Sequence, residues 1–167
     1  MLEQCSSKED RFIGVQRIIN HWLEERQELV VAYCDLSGVN LMSKDCSQSI
    51  NKLKGFCQLL VDYISAGHFE IYDQLIKEAE AFNDNTSTLI SHIYPQIAET
   101  TDIALNFHET YDSEKHCEQA LSRIKSELSI LGEAISKRFS LEDELIAVMH
   151  DAHATQLQAS NHYITQH

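Results

Sequence analysis

Two stretches of the chain pair a histidine with a carboxylate at helical spacing. His21 and Glu25 form HxxxE, and His68 and Asp73 form HxxxxD. Both spacings occur in hemerythrin-like di-iron bundles, whose ligands project into the core, and His92, His108 and His150 could extend the set. Helical geometry weighs against that chemistry. With Trp22 as the inward reference, His21 turns about 100° away, and Glu25 turns about 60° on the other side of the stripe from Arg26. The pair therefore flanks the core. A di-iron site also needs ExxH on two helices or an equivalent convergent set, which Glu70 and Asp73 do not complete. No metal and no cofactor are expected, with a hemerythrin-like bundle as an alternative.

The second chemical signal is charge on apolar faces. Arg26 lies about 40° from Trp22, inside the stripe of its helix. Around Leu145, the stripe Leu131, Ala134, Leu141, Met149 and Ala152 also holds Arg138 and Glu142, spaced i, i+4 so that their side chains can meet. An unpaired charge in the interior costs about 3–5 kcal/mol, so these three need one another. Arg26, Arg138 and Glu142 are expected to lie close together between the first and last helices. They form either an internal ion network that fixes register or a polar cleft that receives a partner's side chain. No GxSxG, P-loop, GxGxxG or HExxH occurs, and no cysteine has an evident histidine base, so catalysis is not expected. Cys57, on an apolar stripe, reads as a buried inert thiol.

The elements that must carry these residues are helices. One proline and five glycines in 167 residues leave few turns. The first helix reads as residues 11–37, with Val15, Ile18, Ile19, Leu29, Tyr33 and Leu36 sharing the Trp22 side and Ser37-Gly38 as its stop. A polar linker through Lys44 leads to a second helix over 47–66, striped by Leu53, Phe56, Cys57, Leu60 and Ile64. Gly67 marks a break or bend before a third helix over 69–82. NDNTST at 83–88 is a turn and cap signal. A fourth helix follows over 88–111, with Pro95 predicting a kink or a late start. Asp112-Ser113 opens a last, very long segment from 114 to about 159. No strand-length alternation appears. The expected fold is all-α, an antiparallel up-and-down four-helix bundle with long first and last helices. It forms a single domain over 1–167, with ends 1–9 and 160–167 frayed.

Charge narrows the partners. Twenty-six acidic against 13 basic residues leave −13, which repels nucleic-acid phosphates and anionic lipid and favours basic partners. Direct nucleic-acid binding is not expected, and no apolar run reaches the ~18 residues of a membrane span. Five scattered cysteines without a CxxC pair, and no signal-peptide pattern, suggest a reduced cytoplasmic protein.

One stretch fits none of the catalytic patterns: VDYISAGHFEIYD, residues 61–73. With Leu60 inward, Asp62 points about 160° away and Ser65 lies beside it. A tight turn at Gly67 would hold Phe69 and Tyr72 at the shoulder of two helices. Aromatics rimmed by Asp and Ser suit a basic partner helix, or Phe69 packs back as the cap of the turn. The longer segment FCQLLVDYISAGHFEIYDQL resembles the Rsd/AlgQ family of regulators, which bind the housekeeping sigma factor of bacterial RNA polymerase. HWLEERQELVVAYCDLSGV and LGEAISKRFSLEDELI agree with it in order, and the match is weakest over 38–52 and 82–120.

The resemblance implies a four-helix anti-sigma bundle, not an enzyme, that grips the C-terminal, −35-recognising sigma domain. It would cover the face that otherwise contacts core polymerase and promoter. That domain is basic because it binds DNA, so an acidic bundle complements it. Trp22, Arg26, Tyr33, Asp62, Ser65, Gly67, His68, Phe69 and Tyr72 match family positions, as do Arg138, Phe139, Leu141, Glu142 and Asp143. Asp62, Ser65, His68, Phe69 and Tyr72 are expected to face the partner. Arg26, Arg138 and Glu142 are expected to form a central polar pocket. The protein is expected to act as a monomer or weak dimer, and a generic helical adaptor is the other alternative.

Overall fold

The computed structural model describes the backbone over residues 8–38, 46–80 and 86–164, and side chains over 13–38, 47–68, 71–77, 88–148 and 150–151. Every element among the described residues is helical. The order is α1 (Lys8–Gly38), α2 (Cys46–Ala66), a π turn (Gly67–Ile71), α3 (Tyr72–Glu80), α4 (Thr86–Tyr111), α5 (Glu114–Ala120), a 3-10 turn (Leu121–Arg123) and α6 (Ile124–Ile164). Helix reaches Lys8 and Ile164, so it extends into both ends for which fraying is expected. The 39–45 linker and residues 83–85 of the NDNTST cluster lie outside the described residues.

The long helices bury stripes at three- and four-residue spacing. Val15, Ile19, Trp22, Leu29 and Leu36 of α1 meet Leu53, Phe56, Cys57, Leu60 and Ile64 of α2. α2 packs on α4 through Phe56 and Phe107, whose rings meet edge to face at 6.0 Å. α4 in turn packs on α6. α6 returns to α1 through side chains, where Tyr33 donates its hydroxyl to the Leu128 carbonyl at 2.9 Å. Gly132 makes room for this: a Cβ there would overlap the Tyr33 hydroxyl.

Three boundaries differ from the sequence reading, each for a local reason. Gly67 does not break the chain. α2 passes into the π turn with right-handed dihedrals on both sides, and the Tyr72 N–H donates back to the Gly67 carbonyl. No described glycine has a positive φ. What requires glycine at 67 is close approach, since a Cβ there would lie 3.0 Å from both Trp22 Cζ2 and the Tyr72 hydroxyl.

α4 begins at Thr86 and runs through Pro95. Pro95 and Ser91 are both exposed, so water can satisfy the carbonyl that proline leaves unpaired. The single long segment after Ser113 is in fact two helices. Ser113 caps α5 by accepting from the His116 N–H at 3.3 Å. At Ala120, the last residue of α5, the dihedrals drift from the ideal helix but stay right-handed (φ −105°, ψ −2°), and its carbonyl accepts from the buried Tyr111 hydroxyl at 3.3 Å. The Ile124 N–H donates to the Leu121 carbonyl in the 3-10 turn, so the Tyr111 hydroxyl satisfies an Ala120 carbonyl that has lost its helix donor, and α6 starts at Ile124.

Candidate functional site: a buried carboxylate between two arginines and two tyrosines

Charge placed on an apolar helix face has to find its partner across the core, and here it converges on one residue. Glu142 of α6 has no solvent exposure. Its Oε1 accepts from Arg138 Nε at 2.9 Å and from the Tyr72 hydroxyl at 2.6 Å. Its Oε2 accepts from Arg26 Nη2 at 2.9 Å and, through a very short bond, from the Tyr63 hydroxyl. Each phenol is also a bridge. Arg26 Nε donates to Tyr63 at 3.1 Å, and Arg138 Nη2 donates to Tyr72 at 2.8 Å. Two arginine–tyrosine pairs therefore hold the two oxygens of one carboxylate.

The remaining donors are satisfied as well. Arg138, nearly as buried at 2% exposure, donates through Nη1 to Thr100 at 3.2 Å and Thr101 at 2.8 Å. Both threonines also donate to the Ile97 carbonyl, which fixes their rotamers. Arg26 Nη1 reaches the exposed Asp143 at 2.5 Å. Two guanidiniums thus face two carboxylates, and the cluster is electrically balanced. Charge-assisted bonds of this kind are roughly twice as strong as neutral ones, which offsets much of the cost of burying the ions.

Aromatic rings wall the cluster. Trp22 stacks on Tyr63 at 5.3 Å and meets Tyr72 edge-on at 5.8 Å. The Arg26 guanidinium lies 4.7 Å from the centre of the Phe139 ring, a cation–π distance. Burial, and then the Glu142 charge, pushes the Tyr63 and Tyr72 phenols well above their ordinary range, so both stay protonated as donors. Burial alone would lower Arg26, but Tyr63, Asp143 and Glu142 outweigh it and raise the guanidinium. The void against Tyr63 and Arg138 is about 10 Å³, the size of one water at most. The cluster is therefore a filled set of contacts tying α1, α2, α3, α4 and α6 together.

The structure thus brings Arg26, Arg138 and Glu142 into one cluster, and it corrects the expectation for Tyr72. That side chain has no exposure and points into the Glu142 network instead of toward a partner. In an unbroken α-helix Tyr63 and Tyr72 would lie about 180° apart, and the widened π turn between them changes that phase. Asp62 is exposed and accepts from Gln58 Nε2 at 2.8 Å, Ser65 is half-buried, and His68 is exposed. The Phe69 side chain lies outside the described residues.

Tyr63, Thr100, Thr101 and Asp143 complete the cluster without having been singled out for it. The signal for Tyr63 was available, because it sits at i+3 from Leu60 on a buried stripe, where a hydroxyl needs a partner. The histidine–carboxylate pairs stay at the surface. His21 is 74% exposed and lies 3.6 Å from both Glu24 and Glu25. His68, Asp73, His92 and His150 are exposed and His108 is half-buried. Among the described residues no three His, Cys, Asp or Glu side chains are grouped to hold a metal ion.

The family described as "Regulator of RNA polymerase sigma(70) subunit, Rsd/AlgQ" matches residues 1–150. A protein named regulator of sigma D from Yersinia pseudotuberculosis is 36% identical over 147 residues, covering 87% of each chain. One of the same name from Enterobacter is 36% identical over 163 residues, covering 96% of this chain and 95% of its own. A third, from Yersinia enterocolitica, is 35% identical over 147 residues, covering 87% of this chain and 88% of its own. Matches of that extent, over a chain whose clustered Arg26, Arg138 and Glu142 fall in the motifs that carry the resemblance, make this protein a member of the Rsd/AlgQ family of sigma(70) regulators.

Proposed function

We propose that this chain binds the C-terminal, −35-recognising domain of the housekeeping sigma factor and withholds it from core RNA polymerase. It does so by non-catalytic binding in the bacterial cytoplasm, as a monomer or weak dimer. The long helices α1, α2, α4 and α6 form the antiparallel four-helix frame of that bundle. Asp62, Ser65, His68 and Phe69, at the end of α2 and in the π turn, make the contact surface.

The observation that carries the reading is how Asp62 is displayed. It is exposed, while its neighbour Tyr63 is locked to Glu142 and stacked on Trp22. An acidic side chain on so firmly held a backbone loses little freedom when it meets a basic partner, and preorganisation of this kind favours affinity. The net charge of −13 favours fast encounter with a DNA-binding domain, whose own surface is basic. Family membership supports the choice of partner.

Titration of the purified chain into a fluorescently labelled sigma C-terminal domain tests the proposal. The expected result is an equimolar complex whose association slows as salt rises. Folded protein that fails to bind at low salt would overturn it.

A further inference from the structure

A second surface lies on the α4–α6 seam. There the two helices leave a groove of about 260 Å³, with Ile103, Phe107 and Leu131 as floor and Ile130 and Glu127 on its edge. Phe107 and Leu131 are buried at 5% and 0% exposure, whereas Ile130 is 56% exposed and presents aliphatic surface beside the groove. The charges around the groove are unequal. Arg123 is paired with Glu127 at 3.4 Å, and Lys137 with Glu99 at 2.7 Å. Asp102 and Glu109 on α4 are exposed and have no ion pair among the described residues. They stand seven residues apart on one face, two helical turns or about 10.5 Å.

From this arrangement we infer that the α4–α6 groove docks a cationic amphipathic helix of a protein partner. The helix would seat one or two aliphatic side chains between Phe107 and Ile130 and would set two basic residues, also two turns apart, against Asp102 and Glu109. The other occupants fit less well. A second copy of this chain would bring −13 against −13, and nucleic acid or anionic lipid would be repelled by the same acids. The groove is also below the ~300 Å³ at which drug-sized ligand sites begin, but it suits the side chains that a helix inserts. On α6, Leu131 precedes Glu142 by eleven residues, about 16 Å along the axis. The groove is thus well removed from the Asp62 end of α2, whose neighbour Tyr63 reaches Glu142. The two surfaces are separate, so this one does not depend on the sigma-binding assignment.

The test uses a labelled helical peptide of leucine and lysine, with lysines seven residues apart on one flank of the apolar face, followed by fluorescence anisotropy on the full chain. Saturable equimolar binding is expected, weakened ~10-fold or more by Ile130→Glu and by the paired change Asp102→Lys with Glu109→Lys. Asp62→Arg should leave it unchanged, and the same peptide with glutamate for lysine should not bind. All four substituted positions are exposed, and circular dichroism checks that each variant keeps its helicity. Peptide-induced NMR shifts on the wild type should centre on Ile103 and Ile130. The proposal is overturned if the groove variants bind as the wild type does, if Asp62→Arg weakens binding as much as they do, or if the acidic peptide binds equally. Shifts centred elsewhere would also overturn it, as would sedimentation showing a wild-type dimer that Ile130→Glu dissociates.

Discussion

Tyr72 donates its hydroxyl to Glu142 at 2.6 Å, joining the first residue of α3 to the middle of α6. Tyr63, on the other side of the π turn, donates to the second oxygen of the same carboxylate. One buried anion therefore pins both ends of the turn that follows α2, and it balances Arg26 and Arg138 as well.

Glu142→Gln tests that anchor without changing volume. The amide keeps one acceptor oxygen but turns a donor toward a phenol or a guanidinium, and the cluster loses half of its negative charge. A loss of about 3–5 kcal/mol is expected from breaking a buried ion set. Urea unfolding of the two proteins measures it, and an unchanged midpoint would show that the carboxylate's charge is not needed.

Alkaline titration probes the same phenols. Burial first, and then the Glu142 charge at Tyr63 and Tyr72 and Glu127 at Tyr111, raises these three phenols above the ordinary tyrosine range. The fold therefore favours their protonated form. This contribution is complete below the unfolded tyrosine pKa of about 10 and is lost as pH climbs beyond it, because only the unfolded chain then releases the protons. Stability should hold from neutral pH to about 9 and fall above 10. Phenolate absorbance from these three tyrosines should appear only as helicity is lost. Their ionisation in a fully helical protein would contradict this.

The glycines of the α2 segment should respond oppositely to alanine. Gly67→Ala puts a methyl group 3.0 Å from Trp22 and from the Tyr72 hydroxyl, so it should cost about 1–3 kcal/mol through overpacking. A Cβ at Gly55, inside α2, would meet nothing within 4 Å, so Gly55→Ala should stabilise by about 0.5–1 kcal/mol. Thermal melts of both variants decide it. Equal shifts of one sign would show that backbone freedom, not space, governs position 67.

Cysteine labelling should follow burial. Cys34 is exposed, while Cys57 and Cys117 are buried. Burial, reinforced by Cys117 and Asp112, pushes the Cys57 thiol up to about 12, leaving it without appreciable thiolate near neutral pH. Mass spectrometry after brief alkylation should find Cys34 modified in the native protein and Cys57 modified only after denaturation.

Asp62→Arg should weaken binding of the sigma domain by about 1–3 kcal/mol and reduce its salt dependence. Melting should stay as in the wild type, because Asp62 is exposed and its bond is to Gln58 on its own helix. Phe69→Ala should cost about 2 kcal/mol with little change in salt dependence if that ring is an apolar anchor. Calorimetric titration at two salt concentrations separates the effects. If both variants bind as the wild type does, the contact surface lies elsewhere.

The sequence alone determined the helical class, the buried stripes of α1, α2 and α6, and the meeting of Arg26, Arg138 and Glu142. The first two follow from periodicity, and the third from the cost of leaving a charge unpaired on an apolar face. Both rules are local and hold wherever a helix stays regular. Tertiary structure decided what happens where it does not. The π turn changes the phase of the wheel after Gly67, so Tyr72 turns inward to Glu142, against the expectation drawn from the 3.6-residue period. The Gly67 requirement comes from side chains that packing brings over it, Trp22 from 45 positions away on another helix and Tyr72 from beyond the turn, and not from a backbone conformation that only glycine adopts. The last segment divides at a 3-10 turn whose preceding carbonyl, that of Ala120, is met by the Tyr111 hydroxyl from the end of α4. Contacts of this kind join side chains whose distance in space is set by packing, and no spacing rule along one helix carries that information.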